Sequence, residues 1–264
     1  MPGSVHDARP SRTAPLRGSS GPRGGRGDRH RPRRRGPAGA GGRGGRRRRP
    51  LGPRDAEPED VLASLAGTGH RSARVDVTDR ASVDALVASL DHLDVLVHVA
   101  GGDRAHPSFT EADDEVWADL VDLNLMGFVR TSRAAAPLLL VSGHGPAVVV
   151  VGSVNAVVAL GSEPYSAAKA GLVSLVANLA VDLAPGVRVN AVLPATIRTR
   201  VWDDQPGGAE QLGALYLLDR VGTPDDVAGA VAFLASDDAA WVTGHALPVD
   251  GGLLTGGSLR RLLD

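Results

Sequence analysis

From residue 55 onward the apolar positions follow two alternating periods, one near 3.6 residues and one of short continuous runs. Residues 57–66 read as a short helix, and Ser72-Ala-Arg-Val-Asp-Val77 as a strand. Residues 79–90 are amphipathic, with Val83, Leu86, Val87 and Leu90 on one face. Leu93-Asp-Val-Leu-Val-His-Val99 is a nearly continuous apolar strand that stops at Gly101-Gly102. Thr110 is an N-cap candidate, and a long helix is predicted over 113–141, with Pro137 perturbing its last turns. A buried strand at 147–151 precedes a helix at 164–183, and a further strand follows at 187–193. Thr223-Pro-Asp-Asp opens a helix running to about 235, with proline in its first turn, and 246–249 forms a last strand before Gly251-Gly252.

Apolar strands alternating with helices predict an α/β fold, a parallel sheet covered on both faces. Ligands bind such sheets at the carboxyl ends of the strands. Gly101-Gly102, Ser153 and Pro194 are all expected just past strand ends, so the chemistry should collect along one edge.

Composition divides the chain in two. Residues 1–54 hold 16 arginines, 13 glycines and eight prolines against two acidic residues, a net charge of +14, whereas 55–264 carry -15. The first segment has almost no large apolar residues and no periodicity, so it is expected to be disordered; 55–264 is expected to be the folded domain. There is no cysteine, which excludes disulfides, thiolate metal sites and a cysteine nucleophile. No uninterrupted apolar run approaches the roughly 20 residues of a transmembrane helix, and the start lacks the apolar core of a secretory signal. A cytoplasmic protein without a membrane partner is the expectation.

The strongest chemical signal is Tyr165-Ser-Ala-Ala-Lys169, preceded by Ser153 at the end of the run 147–151. Lys169 is the only lysine in the chain, so it is not general surface charge. Four residues apart on a helix, the phenol and the ammonium share a face. A free phenol, with a pKa of about 10, is a poor acid–base group at neutral pH. A nearby cation is expected to lower that value, letting Tyr165 pass a proton to or from a substrate oxygen held by Ser153.

Taken together, several motifs resemble the short-chain dehydrogenase/reductase family over about residues 56–256, in the family's order. Asp76-Val-Thr-Asp resembles the acidic turn after the third strand, where Asp76 and Val77 would contact adenine. Val97-His-Val-Ala-Gly101 resembles the Asn-Asn-Ala-Gly motif, with His98 and Val99 in place of the asparagines and Ala100 and Gly101 against the cofactor. Asn124 resembles the helix asparagine that anchors a proton-relay water. Ser153, Tyr165 and Lys169 match the catalytic serine, tyrosine and lysine. Val189-Asn-Ala-Val-Leu-Pro194, with Ile197 and Thr199, resembles the loop over the nicotinamide, although Ala195 stands where glycine is usual. Gly222 to Asp226 and Gly244 to Gly252 resemble the family's C-terminal segments.

The resemblance implies a Rossmann-like, three-layer α/β/α doubly wound sheet and a hydride exchanged between NAD or NADP and a small carbonyl or secondary-alcohol substrate. It implies a homo-oligomer, dimer or tetramer. Substrate choice would rest on the segment from about 200 to 220, with Trp202, Gln205, Leu212, Leu215, Tyr216 and Leu217 as a partly apolar lid. Plainer roles stand beside these: Asn124 as a helix-surface amide, Asp76 as a turn former, Thr199 as a helix cap. His98 reads as a packed strand-end histidine rather than a metal ligand, because no partner has ligand spacing.

The first βαβ unit, with its glycine-rich pyrophosphate turn, is missing or scrambled: the glycines of 1–54 lie among arginines with no apolar strand before them. Much of this segment is compatible with an out-of-frame translation of that unit. Gly27-Asp-Arg-His-Arg-Pro-Arg-Arg-Arg35 can be encoded GGG GAC CGG CAT CGG CCG CGC CGT CGC; one base later this reads Gly-Thr-Gly-Ile-Gly-Arg-Ala-Val. Arg43-Gly-Gly-Arg-Arg-Arg-Arg49, encoded CGG GGT GGT CGT CGC CGA CGT, reads in the same way Gly-Val-Val-Val-Ala-Asp, a strand ending in an acid that favours NAD. The competing reading is a catalytically inactive dehydrogenase-like protein whose basic arm binds nucleic acid through phosphates. The arm's lack of any aromatic residue disfavours nucleic acid, since it offers no stacking platform.

Overall fold

A computed structural model describes residues 58–203 and 207–257. The segment 1–54, with the disorder and frame expectations placed on it, and Gln205 lie outside the described residues.

Four parallel strands, β1 (Val95–His98), β2 (Ala147–Val151), β3 (Arg188–Pro194) and β4 (Ala246–Val249), form one sheet in the order β1-β2-β3-β4. The valine run of β2 is buried on both faces, as the inner strand of a parallel sheet must be. Val148 and Val150 join Phe128, Leu139, Leu172 and Val176 in a cluster beneath helices α4 (Gly127–Leu140) and α5 (Glu163–Leu183). On the other face Val149 packs with Val192 and Leu234 beneath α6 (Pro224–Ala235). Helix, sheet and helix thus form the expected three layers.

The remaining helices are α1 (Pro58–Ser64), α2 (Arg80–Ala88) and α3 (Asp114–Val121). Asp79 caps α2, its carboxylate accepting from Ala81 N–H at 2.9 Å. At α6 the capping box is complete: Thr223 accepts from Asp226 N–H, while Asp226 accepts from Thr223 N–H at 2.7 Å. The far end of α6 is held by Arg188, whose guanidinium donates to the carbonyls of Leu234, Ala235, Ser236 and Ala239 at 2.7–3.4 Å.

Several expectations are corrected. Ser72–Val77 is not a strand; residues 67–76 follow an irregular, exposed path. A strand needs a neighbour, and among the described residues no segment lies alongside to complete the ladder. Thr110 is not the cap; Asp113 is, accepting from Val116 N–H at 3.0 Å. The single long helix is three pieces, because Asp122–Met126 forms a π-helical turn between α3 and α4. Pro194 ends β3 from inside, rather than lying past it. Helix α5, at 21 residues, is long and apolar enough by composition to cross a membrane. It buries Leu172, Val176 and Ala180 against the sheet instead, and carries the buried Lys169.

Among the described residues β1 is one edge of the sheet and β4 the other. The alternate β1 residues Leu96 and His98 face α4, but Val95, Val97 and Val99 are 37, 42 and 62 % exposed. Helix α6 covers that face over β2–β4 and does not reach β1.

Candidate active site

The ends of β1 and β2, the π-helical turn and the start of α5 converge on one point. The chain leaves β2 through Gly152, where a Cβ would come within 2.6 Å of Leu193 Cδ2, and turns at Ser153. Ser153 caps a short 3₁₀ turn: it accepts from Asn155 N–H at 3.2 Å and donates to Asn155 Oδ1 at 3.1 Å. Asn155 continues to Ser166 Oγ on α5 at 3.3 Å, tying the serine turn to the tyrosine helix. Helix α5 then presents Tyr165, half-buried, and Lys169, which is 3 % exposed.

Lys169 Nζ donates to the carbonyl of Val151 at 3.0 Å and lies 5.6 Å from the Tyr165 ring centroid. Burial pulls the ammonium down to about 8. Burial also pushes the Tyr165 phenol up; a hydrogen bond with Ser153 pulls it back and the charge of Asp103 pushes it further up. The phenol thus lies above its ordinary value, where the sequence expectation was a lowered one, because burial is the largest influence on it.

Asn124 sits on the π-helical turn and is fully buried, so it is not a surface amide. It accepts from Gly102 N–H at 2.9 Å and donates to the carbonyls of Gly102 at 2.9 Å and Leu120 at 3.0 Å. The amide therefore clamps the loop that leaves β1. A Cβ on Gly101 would meet Asn124 Oδ1 at 2.8 Å and Lys169 Nζ at 3.3 Å, so only glycine lets the backbone pass here.

Ala100 and Gly101 thus lie with Asn124 and Lys169, whereas Asp76 and Val77 belong to a separate turn. Asp76 Oδ1 accepts from Thr78 N–H at 2.8 Å and from Thr78 Oγ1 at 2.7 Å, the plainer role the sequence allowed. Val77 is buried against Gly127 and its carbonyl accepts from Arg130 at 3.2 Å. Ile197 bridges Gly222, and Thr199 precedes a 3₁₀ turn without a side-chain cap bond. A cavity of about 390 Å³ opens over the ends of β3 and β4, lined by Ala195, Thr196, Tyr216, Leu217 and Pro248 among others. None of Ser153, Tyr165 and Lys169 lines it. Trp202, Leu212 and Tyr216 pack together beside it; Leu215 is half exposed.

His98 is packed, as expected, 4 % exposed and 5.3 Å from the Phe128 ring. Its Nδ1 meets Thr131 Oγ1 at 2.9 Å, and its Nε2 has no partner among the described residues. Burial, and then the charge of Lys169, holds it down to about 4. No group of metal-ligating side chains occurs among the described residues.

Three polar residues at the mouth escaped the sequence reading. Ser162 Oγ donates to Asp103 Oδ1 at 2.8 Å, and His106 Nε2 meets the same hydroxyl at 2.9 Å. Their position just past Gly101-Gly102 and just before Tyr165 was the available signal.

The described residues fit the nicotinamide end of a dinucleotide: a buried ammonium beside the phenol, a backbone approach at Gly101 that a Cβ would block, and the 194–199 loop. They contain no glycine-rich turn between a strand and a helix for the pyrophosphate.

The chain as a whole is similar to known proteins. A family model described as enoyl-(acyl carrier protein) reductase matches residues 53–254. The chain is 38 % identical over 203 residues to L-rhamnose 1-dehydrogenase (NAD(P)(+)) of Azotobacter vinelandii, covering 74 % of this chain and 78 % of that one. An oxidoreductase structure of the short-chain dehydrogenase/reductase type from Burkholderia thailandensis superposes with a TM-score of 0.69 at 38 % identity, over 78 % of this chain and 82 % of that chain. The ligand-free aldohexose dehydrogenase of Thermoplasma acidophilum gives a TM-score of 0.66 at 30 % identity, over 72 % and 80 %.

Proposed function

We propose that this chain, which belongs to the short-chain dehydrogenase/reductase family of NAD(P)-dependent oxidoreductases, interconverts a carbonyl and a secondary alcohol with Tyr165 as its acid–base group. The observation that carries this reading is the burial of Lys169. An ammonium is costly to bury, and one backbone carbonyl is modest compensation. Such a group, held below its ordinary pKa beside a phenol at a strand end, supports the reading of a catalytic site.

In reduction, the Tyr165 hydroxyl gives its proton to the carbonyl oxygen, and Ser153 donates a hydrogen bond to the same oxygen. Burial keeps the phenol protonated at neutral pH, which suits the acid role. With the cofactor bound, Lys169 would hold the ribose of the nicotinamide nucleotide and return a proton toward Tyr165. Asn124 fixes the loop at Gly102 and would anchor a water linking Lys169 to solvent. Ala100, Gly101, Pro194, Ile197 and Thr199 would hold the nicotinamide end, and Asp76 and Val77 the adenine end. The bound cofactor supplies the hydride in reduction and accepts it in oxidation. The site test is Tyr165→Phe, which should lower kcat at least a hundredfold with folding unchanged.

The pyrophosphate end follows from a second reading, that much of the segment 1–54 is the family's first βαβ unit translated one base out of frame. Consecutive arginine codons of the CGN type, shifted by one base, spell GNC: glycine, alanine, valine or aspartate. Those are the residues of a strand–turn–helix. Three features of the fold support this. Among the described residues, the face of β1 with Val95 and Val97, and Val99 beyond it, is uncovered, residues 67–76 have no strand to pair with, and His98 Nε2 lacks a partner. The recovered acid would favour NAD over NADP. Determining the nucleotide sequence of codons 10–55 on an independent clone decides it; codons that cannot spell the shifted peptides sink the idea. Exposed Leu140, Val141, Val181 and Trp241 support self-association into a dimer or tetramer; a cytoplasmic location without membrane or nucleic-acid partners completes the reading.

A further inference from the structure

Ser162 is one of two described residues other than glycine with positive φ, at 53°. Such a backbone persists where its surroundings over-determine it, and it concentrates at functional sites. Here the surroundings are two side chains from the loop that leaves β1. Ser162 Oγ donates to Asp103 Oδ1 at 2.8 Å and meets His106 Nε2 at 2.9 Å, while His106 Nδ1 lies 2.7 Å from the Pro107 carbonyl. The same loop is anchored by Asn124 at Gly102 and by the pair of Arg104 with Asp119 at 2.8 Å. Asp103 is thus fixed at both flanks.

The hydroxyl of Ser162 thus bridges the carboxylate of Asp103 and the imidazole of His106. Both hydrogen bonds that the Asp103 carboxylate accepts among the described residues fall on Oδ1, and the residue is exposed, so Oδ2 is left open to a ligand.

Ser162 stands three residues before Tyr165, at the start of the same helix. The negative charge of Asp103 reaches the phenol. The other charged groups near the mouth are Lys169 below the ring, buried; Arg104, paired with Asp119; and Glu163, next to Ser162. The serine side of the mouth is neutral, built from Asn155, Ser166 and the Gly161 carbonyl.

We infer that Asp103, clasped by Ser162 and His106 before Tyr165, is a specificity-determining residue that admits neutral, hydroxyl-bearing substrates and turns away anionic ones. Its Oδ2 accepts from a substrate hydroxyl next to the reacting carbon, and a carboxylate or phosphate at that position meets a like charge. This rests on the oxidoreductase reading above.

The test is kcat/KM on a matched pair, a neutral polyol and the same carbon chain ending in a carboxylate, with the wild type and Asp103→Asn. The wild type favours the neutral member, and Asp103→Asn lowers that preference about tenfold, mainly through KM. Asp103→Glu keeps the preference, and Ser162→Ala lies between. A preference unchanged in Asp103→Asn overturns the inference. The kinetics are run on the protein with its first βαβ unit in the restored frame; if that protein turns over neither member, the oxidoreductase reading is what has failed, and tyrosine ionisation decides the role of Asp103. The chain has only two tyrosines, so ultraviolet titration on a Tyr216→Phe background follows Tyr165 alone, with NMR of ring-labelled tyrosine on the unaltered chain as a second route. Asp103→Asn should move that ionisation to lower pH. An ionisation that does not move shows Asp103 too remote from Tyr165 to act, and overturns the inference.

Discussion

The ammonium of Lys169 donates to the carbonyl of Val151 at 3.0 Å, so the helix that carries Tyr165 is tied to the strand that delivers Ser153. One buried contact sets the spacing of the two groups that must meet at a substrate oxygen. It also makes folding sensitive to alkaline pH. Lys169 is held down to about 8 against an ordinary 10.5, so between these values the unfolded chain binds more protons than the folded one. Stability therefore rises as pH climbs from about 8 toward 10.5, and this rise should vanish in Lys169→Met. Urea unfolding across that range checks it.

His98 gives the corresponding acid limb. Its folded pKa is about 4 against 6.5, so stability is full above 6.5 and is lost as pH falls through 4. The loss should amount to about 3 kcal/mol, and His98→Leu should flatten the acid limb. Thermal unfolding at pH 7 and pH 4 compares the two chains.

Gly101→Ala places a methyl group 2.8 Å from Asn124 Oδ1 and 3.3 Å from Lys169 Nζ. Neither neighbour can yield freely, because Asn124 holds Gly102 on both its amide and carbonyl groups. Activity should fall on the order of a hundredfold through displaced catalytic groups, with a smaller loss of stability. Parallel kcat and Tm measurements separate the two effects.

Arg188 lies far from the chemistry and holds four carbonyls at the end of α6. Arg188→Leu should cost about 2–4 kcal/mol by leaving them short of a donor, with kcat unchanged in the folded fraction. Denaturant unfolding measures the cost; kcat unchanged alongside it marks the role as structural.

The strands β1, β2 and β3 were legible because their valines leave little other place to lie, and Tyr165 and Lys169 because their spacing is local. Ser72–Val77 misled because its composition suits a strand while pairing depends on a partner elsewhere in the chain. The π-helical turn was invisible for a related reason: Asp122–Met126 carries no proline or glycine, and its extra residue per turn is decided by the seat that Asn124 finds against Gly102. Asp103, Ser162 and His106 lie up to 59 residues apart, and no periodicity joins them. The tuning of Tyr165 was misjudged in sign because a sequence displays the neighbouring charge and hides the burial.

The most direct measurement is carbonyl-dependent oxidation of NADH or NADPH by the protein with its first βαβ unit in the restored frame, compared with the same protein carrying Tyr165→Phe. The account predicts turnover in the first and a loss of at least a hundredfold in the second, with cofactor affinity little changed. Turnover that survives Tyr165→Phe, or a restored chain that binds neither nucleotide, would contradict it.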